Sequence, residues 1–236
     1  MTRTTMLVTC LATLGLAATA HAHFKLNTPA AYSQQNSYGD PQKSAPCGQA
    51  DPGNALVPTN AVTAVQSGSM LTISITETIP HPGFYRVAIA QDMAGLPADP
   101  TPPGDVTPCD KLTPTANPTL PLLADGLLKH TSPFSNTTQT MQVPIPAGMT
   151  CTNCVLQVVQ YMSNHGLNNP GGCFYHHCAM VNISADAPPP SDGGIDPGGD
   201  GDGGTGCCSA SPGSMATSLL GAAFVGLMLL RRRRAH

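Results

Sequence analysis

The chain of 236 residues is poor in charge, with 10 Lys and Arg against 13 Asp and Glu and a formal net charge of −3 at pH 7. No basic cluster occurs between residues 23 and 184, which argues against a nucleic-acid partner. Glycine and proline contribute 24 residues each, and long helix-forming runs are absent. This composition favours an all-β domain with long loops.

The first 22 residues have the pattern of a secretory signal peptide. Arg3 precedes an apolar stretch from Met6 to Ala18, and Ala20 and Ala22 supply the small residues of a cleavage site. Cleavage after Ala22 makes His23 the first residue of the mature protein. Its free α-amine and its imidazole Nδ1 can then bind one metal ion together. A histidine can also stand at a cleavage point by chance, so a metal-binding role for His23 requires support from other parts of the chain.

Residues 23–184 form one region of about 160 residues, the size of a single domain with its own core. Short runs of alternating or continuous apolar residues within it predict strands. These runs are 62–65, 71–76, 84–89, 141–145, 154–162 and 178–183. Short strands separated by turn residues predict an antiparallel β-sandwich of the immunoglobulin or fibronectin type. The long segments 39–60 and 92–110 are expected to be functional loops.

Six cysteines remain in this region, which is an even number for an exported domain and predicts about three disulfides with fifteen possible connectivities. They are Cys47, Cys109, Cys151, Cys154, Cys173 and Cys178. We expect Cys178, in the last strand, to pair with Cys47 in an early loop. Cys151-x-x-Cys154 could instead form a zinc knuckle or a redox pair. Neither a second pair at zinc-finger spacing nor a βαβ pattern accompanies it, which favours a structural disulfide.

The histidines suggest a metal site. His81 lies in the turn between two predicted strands, where the scaffold holds it rigidly. Together with a terminal His23 it gives two imidazoles and one amine, a T-shaped set that favours copper, although zinc would also bind. Tyr175, just before the last strand, could approach the metal axially or could be a core aromatic. The adjacent His176 and His177 point to opposite faces of an extended chain, so both cannot readily join one site.

The C-terminal part has two further segments. Residues 185–206 are rich in Gly, Pro and Asp and contain no Lys or Arg, which predicts a disordered linker. Residues 207–236 begin with a cysteine pair, continue with an apolar run and contain four arginines at 231–234. This tail resembles the MYXO-CTERM sorting tails of myxobacteria, which a membrane protease cuts at the cysteine. The resemblance implies a secreted or outer-membrane-attached protein that contacts the membrane before processing. A permanent transmembrane anchor is the alternative.

Four motifs of residues 23–184 occur in the order seen in lytic polysaccharide monooxygenases. They are His23-Phe24-Lys25-Leu26, His81-Pro82-Gly83-Phe84-Tyr85-Arg86-Val87, Cys151-Thr152-Asn153-Cys154-Val155-Leu156-Gln157 and Tyr175-x-x-Cys178-Ala179. The region resembles that family, and most closely its myxobacterial relatives. The resemblance implies that His23 and His81 form a copper-binding histidine brace and that Tyr175 is the axial residue. His165 is similar to a histidine that lies just outside the metal ligands in the fungal branch.

The resemblance also implies a function. A monomeric, copper-dependent enzyme would hydroxylate a C–H bond beside the glycosidic link of a chitin- or cellulose-like polysaccharide, with electrons from an external donor. The chain contains no Trp, so Tyr32 and Tyr38 are the available aromatics for a sugar-binding face. Cys173 stands where the fungal branch has a glutamine. Gln157, Gln160 or His165 could supply the corresponding hydrogen bond.

The sequence leaves one other function open and disfavours a second. Small periplasmic copper carriers also begin with a histidine and use β-sandwiches, but they typically end with an Asp-x-His ligand pair that this sequence lacks. A copper carrier without catalytic activity nevertheless remains the alternative. A glycoside hydrolase is disfavoured because Glu77 is the only glutamate of the region and no carboxylate pair stands out as acid and nucleophile.

Overall fold

A computed structural model describes residues 22–49, 53–101, 109, 112–134, 138–168 and 170–188. Most of the predicted signal peptide, the linker beyond residue 188 and the whole sorting tail lie outside these residues, so the corresponding domain boundaries stay predictions. Within the described ranges, no helix is long and apolar enough to cross a membrane.

The described chain forms eight strands and one short 3-10 turn at Met93–Gly95. The strands are β1 (His23–Thr28), β2 (Val62–Gln66), β3 (Met70–Ile79), β4 (Gly83–Ala90), β5 (Leu122–His130), β6 (Thr138–Pro144), β7 (Cys151–Met162) and β8 (Phe174–Ser184). They build a three-stranded sheet in the order β1-β3-β6 and a five-stranded sheet in the order β2-β8-β7-β4-β5. The predicted all-β sandwich is confirmed, and the six predicted runs correspond to β2, β3, β4, β6, β7 and β8.

Two features of the sheets were not predicted. β2 pairs in parallel with β8, with Val62 opposite Met180, so the sandwich is not wholly antiparallel. β5 was missed because its alternation is interrupted after two inward residues. Gly126 and Leu128 both have positive φ, at 75° and 48°, and the pairing of β5 with β4 shifts register around them. A bulged strand of this kind lacks the regular period of two on which strand prediction depends.

The core lies between the sheets, and a second apolar layer covers the outer face of the five-stranded sheet. Inward residues of β7 such as Leu156 and Val158 join the main core. Val159 and Tyr161 pack in a separate outer cluster with Phe84 and Phe174. A strand buried on both faces reads as a continuous apolar run, which is the pattern of 154–162. Burying each large side chain contributes about 1.5–3 kcal/mol.

Three disulfides fasten the long loops and strand ends, as predicted. They are Cys47–Cys178, Cys109–Cys173 and Cys151–Cys154. The first confirms the expected pairing and ties the loop around residue 47 to β8. The third shows that Cys151 and Cys154 pair with each other at the start of β7. The first two disulfides lie on the outer face of the five-stranded sheet, and the first holds there the loop that carries Asp40 and Gln42.

Candidate metal centre

The four predicted site residues lie at one end of the sandwich. His23 begins β1 opposite Ile79 of β3, and His81 follows two residues beyond Ile79. The ring of Tyr175, at the start of β8, lies 5.0 Å from the ring of His23. The ring of His165, in the loop after β7, lies 4.9 Å from that of His81. His23 is 7% exposed and His81 6% exposed, so both rings reach this end from a rigid setting.

Asp40, which the sequence did not single out, fixes the ring of His23. Its Oδ1 lies 3.5 Å from His23 Nε2, and the Asn36 and Gln42 amides each donate to the carboxylate at 3.3 Å. A carboxylate facing Nε2 favours the tautomer with the proton on that nitrogen and the lone pair on Nδ1. Nδ1 is the ring nitrogen that can chelate a metal together with the α-amine of the same residue.

His81 has the opposite tautomer. Its Nδ1 lies 3.2 Å from the carbonyl oxygen of Pro82, and since a carbonyl only accepts, Nδ1 carries the proton. The lone pair is then on Nε2. With the terminal amine that the sequence predicts for His23, the two rings would give the expected three-nitrogen donor set, whose chemistry fits copper. In the described part of the chain, no group of three or more His, Cys, Asp or Glu side chains could hold a metal. The third donor of the expected set is an amine and not a side chain.

A buried polar cluster lies behind His81 and was also missed. Glu77 Oε1 accepts hydrogen bonds from the Tyr85 hydroxyl at 2.8 Å and from the Gln160 amide at 3.0 Å. His130 Nε2 lies 3.4 Å from the same oxygen, and His130 Nδ1 donates to the Leu128 carbonyl at 2.8 Å. This single glutamate therefore joins three strands, because Tyr85, Gln160 and His130 come from β4, β7 and β5.

The cluster shifts two pKa values. Burial lowers the pKa of His130, but the hydrogen bond to Glu77, the Leu128 carbonyl, the charge of Glu77 and the His81 backbone outweigh it and raise the pKa above its ordinary value. Burial, followed by the charge and hydrogen bond of Glu77, raises the pKa of Tyr85 well above its ordinary value. The cluster thus places the His130 imidazole beside the Glu77 carboxylate, next to the segment that carries His81, and this arrangement favours the protonated imidazole.

Gln157, Gln160 and His165, the three candidates for a hydrogen bond near the predicted metal, lie in different surroundings. Gln157 donates to the Pro46 carbonyl at 2.9 Å and lies opposite Cys178 in the sheet, away from the metal site. Gln160 lies opposite Tyr175 but directs its amide nitrogen to Glu77. His165 contacts the His81 ring. Gln157 is therefore the wrong candidate, and His165 and Gln160 remain near the site.

The two adjacent histidines of β8 point to opposite faces, as predicted. His176 faces outward, with Nε2 2.8 Å from Asp99 Oδ1 and Nδ1 3.3 Å from the Gln42 carbonyl. His177 faces inward and donates from Nε2 to the Phe24 carbonyl at 2.9 Å. Its ring also packs edge-on against the Phe24 ring, with centroids 4.7 Å apart. His177 therefore contacts the residue that follows His23.

His177 should make folding stability depend on pH. Burial, opposed by the Phe24 carbonyl, lowers its pKa from 6.5 to about 4. Between these values the residue binds a proton in the unfolded chain but not in the folded chain, so the free energy of unfolding falls as pH falls. Above 6.5 the residue is neutral in both states and this contribution vanishes. The His177→Gln variant should lose less stability between about pH 7.5 and about pH 4.5 in urea unfolding of the metal-free protein. Parallel stability curves for the two proteins would contradict this assignment.

The two tyrosines expected to replace tryptophan differ in position. Tyr38 is 56% exposed, and its ring lies 6.1 Å from that of His23. Tyr32 is partly buried and packs with Cys47, Val155 and Cys178 on the outer face of the five-stranded sheet. Only Tyr38 is therefore in a position to contact a ligand beside His23.

The fold and this site define a disulfide-bonded β-sandwich protein with two histidines and an exposed tyrosine at one end. A family model described as lytic polysaccharide mono-oxygenase, cellulose-degrading, matches residues 10–180, and the chain belongs to this family. It is a family of polysaccharide-oxidising, copper-dependent enzymes that are generally secreted. The family assignment agrees with the resemblance drawn from the four motifs, while the myxobacterial branch stays a prediction.

Two solved structures are similar to the chain. One is a lytic polysaccharide monooxygenase AA15 from Thermobia domestica in the Cu(I) state, 20% identical, covering 61% of this chain and 77% of that chain, with a TM-score of 0.37. The other is a chitin binding domain from Burkholderia pseudomallei, 15% identical, covering 70% of this chain and 100% of that chain, with a TM-score of 0.38. No curated protein matches the chain.

Proposed function

We propose that the protein is a secreted, copper-dependent monooxygenase that cleaves a chitin- or cellulose-like polysaccharide by hydroxylating a C–H bond beside the glycosidic link. One observation carries the proposal beyond family membership. The residue at the predicted cleavage site, His23, lies at the same end of the sandwich as His81, with a carboxylate at its Nε2. A terminal histidine in this setting has the tautomer that a copper-binding brace requires.

The residues of the site would have two roles, holding the metal and orienting the rings that hold it. The α-amine and Nδ1 of His23 and the Nε2 of His81 would hold the metal, and Tyr175, whose ring lies 5.0 Å from that of His23, would lie beside it. When bound, copper would supply the redox chemistry by which dioxygen, with two electrons from an external donor, or peroxide inserts one oxygen atom into the C–H bond, the other oxygen atom leaving as water. Asp40 and the Pro82 carbonyl hold the two rings in complementary tautomers. The buried ring of His165 lies against the ring of His81, with centroids 4.9 Å apart.

The substrate would bind at the exposed side of this end. Tyr38 offers an exposed ring beside His23, and an aromatic ring stacks well on the apolar face of a sugar. The sparse charge of the chain suits an uncharged polymer, and we expect a monomer. The protein would be released or held at the cell surface, depending on how its predicted C-terminal tail is processed.

A second function, copper binding without catalysis, is favoured by one observation. Among the described residues, Tyr38 is the only aromatic side chain among the large exposed apolar residues. A protein surface that binds a polysaccharide usually offers several aromatic rings for stacking on sugars, whereas a copper carrier needs none. A surface-attached copper carrier is therefore the alternative.

A product assay separates the two functions. The mature protein that begins at His23, loaded with copper and supplied with a reductant, should release oxidised oligosaccharides from chitin or cellulose. The His81→Ala variant, loaded in the same way, should release none above the level of free copper. Tight copper binding without products across a substrate panel would establish the carrier. Failure to bind copper at all would overturn both functions.

A further inference from the structure

We infer that Gln42 and His177 are positioning residues that clamp the peptide groups of Phe24 and thereby fix the α-amine of His23. The inference rests on the proposed function for its consequence at the metal. The clamp itself is a property of the metal-free fold. Both side chains hold the backbone of the residue that follows His23.

The clamp occupies the open edge of β1. In the described sheets, β1 pairs with β3 on one side only. The Phe24 N–H donates to Gln42 Oε1 at 3.1 Å, and the Phe24 carbonyl accepts from His177 Nε2 at 2.9 Å. Two side chains thus replace the backbone partners that a neighbouring strand would supply.

Both clamping side chains are themselves held in place. Gln42 is 0% exposed and His177 is 2% exposed. The Gln42 amide nitrogen donates to the Tyr38 carbonyl and to Asp40 Oδ1, each at 3.3 Å, which leaves its Oε1 for Phe24. Burial restricts both side chains, and the two further bonds of the Gln42 amide fix its orientation, so the pair defines the position of the peptide groups that it holds.

The loop that carries Gln42 runs directly against the same peptide. Gly39 has φ of 105°, and a Cβ at this position would lie 2.0 Å from the Phe24 carbonyl oxygen. Only glycine allows such an approach. The loop, β8 and Phe24 therefore meet at one point, one residue after the predicted terminus.

A metal site made from a chain terminus needs this kind of support. Terminal residues of a strand usually fray, and an amine that must first be ordered binds a metal less tightly. With the Phe24 peptide fixed on both sides, only the few torsions of His23 remain to place its amine and ring. The clamp therefore pre-organises the amine half of the proposed chelate.

Three variants and a matched control test the clamp. Gln42→Met and His177→Leu each remove one bond to Phe24, and His177→Gln retains an N–H donor. Gln157→Met is the control, because Gln157 is equally buried and donates to the same loop at the Pro46 carbonyl, so it tests whether loosening the loop alone, without loss of a bond to Phe24, has the same effect. All four start at His23 and are compared by thermal unfolding, so that a general loss of stability is visible.

Hydrogen exchange of the Phe24 amide in metal-free protein tests the clamp without copper. We expect slow exchange in the parent protein, His177→Gln and Gln157→Met, and exchange at least about tenfold faster in Gln42→Met and His177→Leu. Equal protection in all five proteins would overturn the clamp. A protected amide in a parent protein that binds no copper would leave the clamp standing and overturn the proposed function alone.

Copper binding tests its consequence. Gln42→Met and His177→Leu should bind Cu(II) about 10- to 100-fold more weakly and show an altered electron paramagnetic resonance spectrum. His177→Gln and Gln157→Met should keep the affinity and the spectrum. Unchanged copper affinity in folded Gln42→Met and His177→Leu would show that the clamp does not position the amine. The same weakening in Gln157→Met would trace it to loosening of the loop, and either result overturns the positioning role.

Discussion

A chain that begins at Ala22 instead of His23 should lose tight Cu(II) binding. The extra residue turns the α-amine of His23 into a peptide nitrogen with no available lone pair, so one of the three proposed donors disappears and the chelate ring cannot form. We expect the affinity to fall on the order of 1,000-fold, equivalent to about 4 kcal/mol. Competition titration against a chelator of known affinity measures the change.

This variant is sharper than a histidine substitution because it should leave the fold intact. Ala22 is fully buried within the core cluster, so the structure already accommodates a residue at this position. Since Ala22 adds buried apolar contact, the metal-free chain that begins at Ala22 should unfold at a temperature at least as high as that of the chain that begins at His23. His81→Ala in the chain beginning at His23 provides the complementary loss of one imidazole. Equal copper affinity of the two chain starts would rule out the brace.

The sequence predicted the strands where they are regular and failed where they are not. The alternation of Leu71, Ile73 and Ile75 survives in β3 because that strand has one face on the core. β5 turns through two positive-φ residues, and no local pattern marks such a bulge. The parallel pairing of β2 was invisible for a different reason. Alternation reports which face is buried, and it does not report the direction of the neighbouring strand.

Among the site residues, too, those marked by a local sequence motif were predicted and those that depend on tertiary contacts were not. His23 was found through a cleavage motif and His81 through a turn, and both are local features. Asp40, Gln42, His130 and His177 were missed as site residues because their roles arise only when distant segments meet. His177 lies 153 positions from the carbonyl that it holds. The packing of β8 beside β1 brings His177 to this carbonyl, whereas the loop after β1 brings Asp40 and Gln42 to His23 and Phe24.

The Cys47–Cys178 disulfide supports the contacts that Asp40 and Gln42 make with His23 and Phe24. It joins residues 131 positions apart and anchors to β8 the loop that carries Asp40 and Gln42. In the unfolded chain the intact Cys109–Cys173 bond acts as a short-cut. The loop closed by Cys47–Cys178 is therefore roughly 70 residues long. Cys151–Cys154, by contrast, closes a loop between residues only 3 positions apart.

Replacing both Cys47 and Cys178 by alanine should therefore lower the free energy of unfolding by about 4 kcal/mol, against about 2 kcal/mol for alanine at both Cys151 and Cys154. Only the first replacement should also weaken Cu(II) binding, because only it releases the loop that holds His23 and Phe24. Urea unfolding under oxidising conditions measures the stabilities, and competition titration measures the affinities below the unfolding transition. Equal losses of stability would refute the loop-closure argument. Unchanged copper affinity in the folded Cys47/Cys178 variant would show that the loop holds its position without the disulfide.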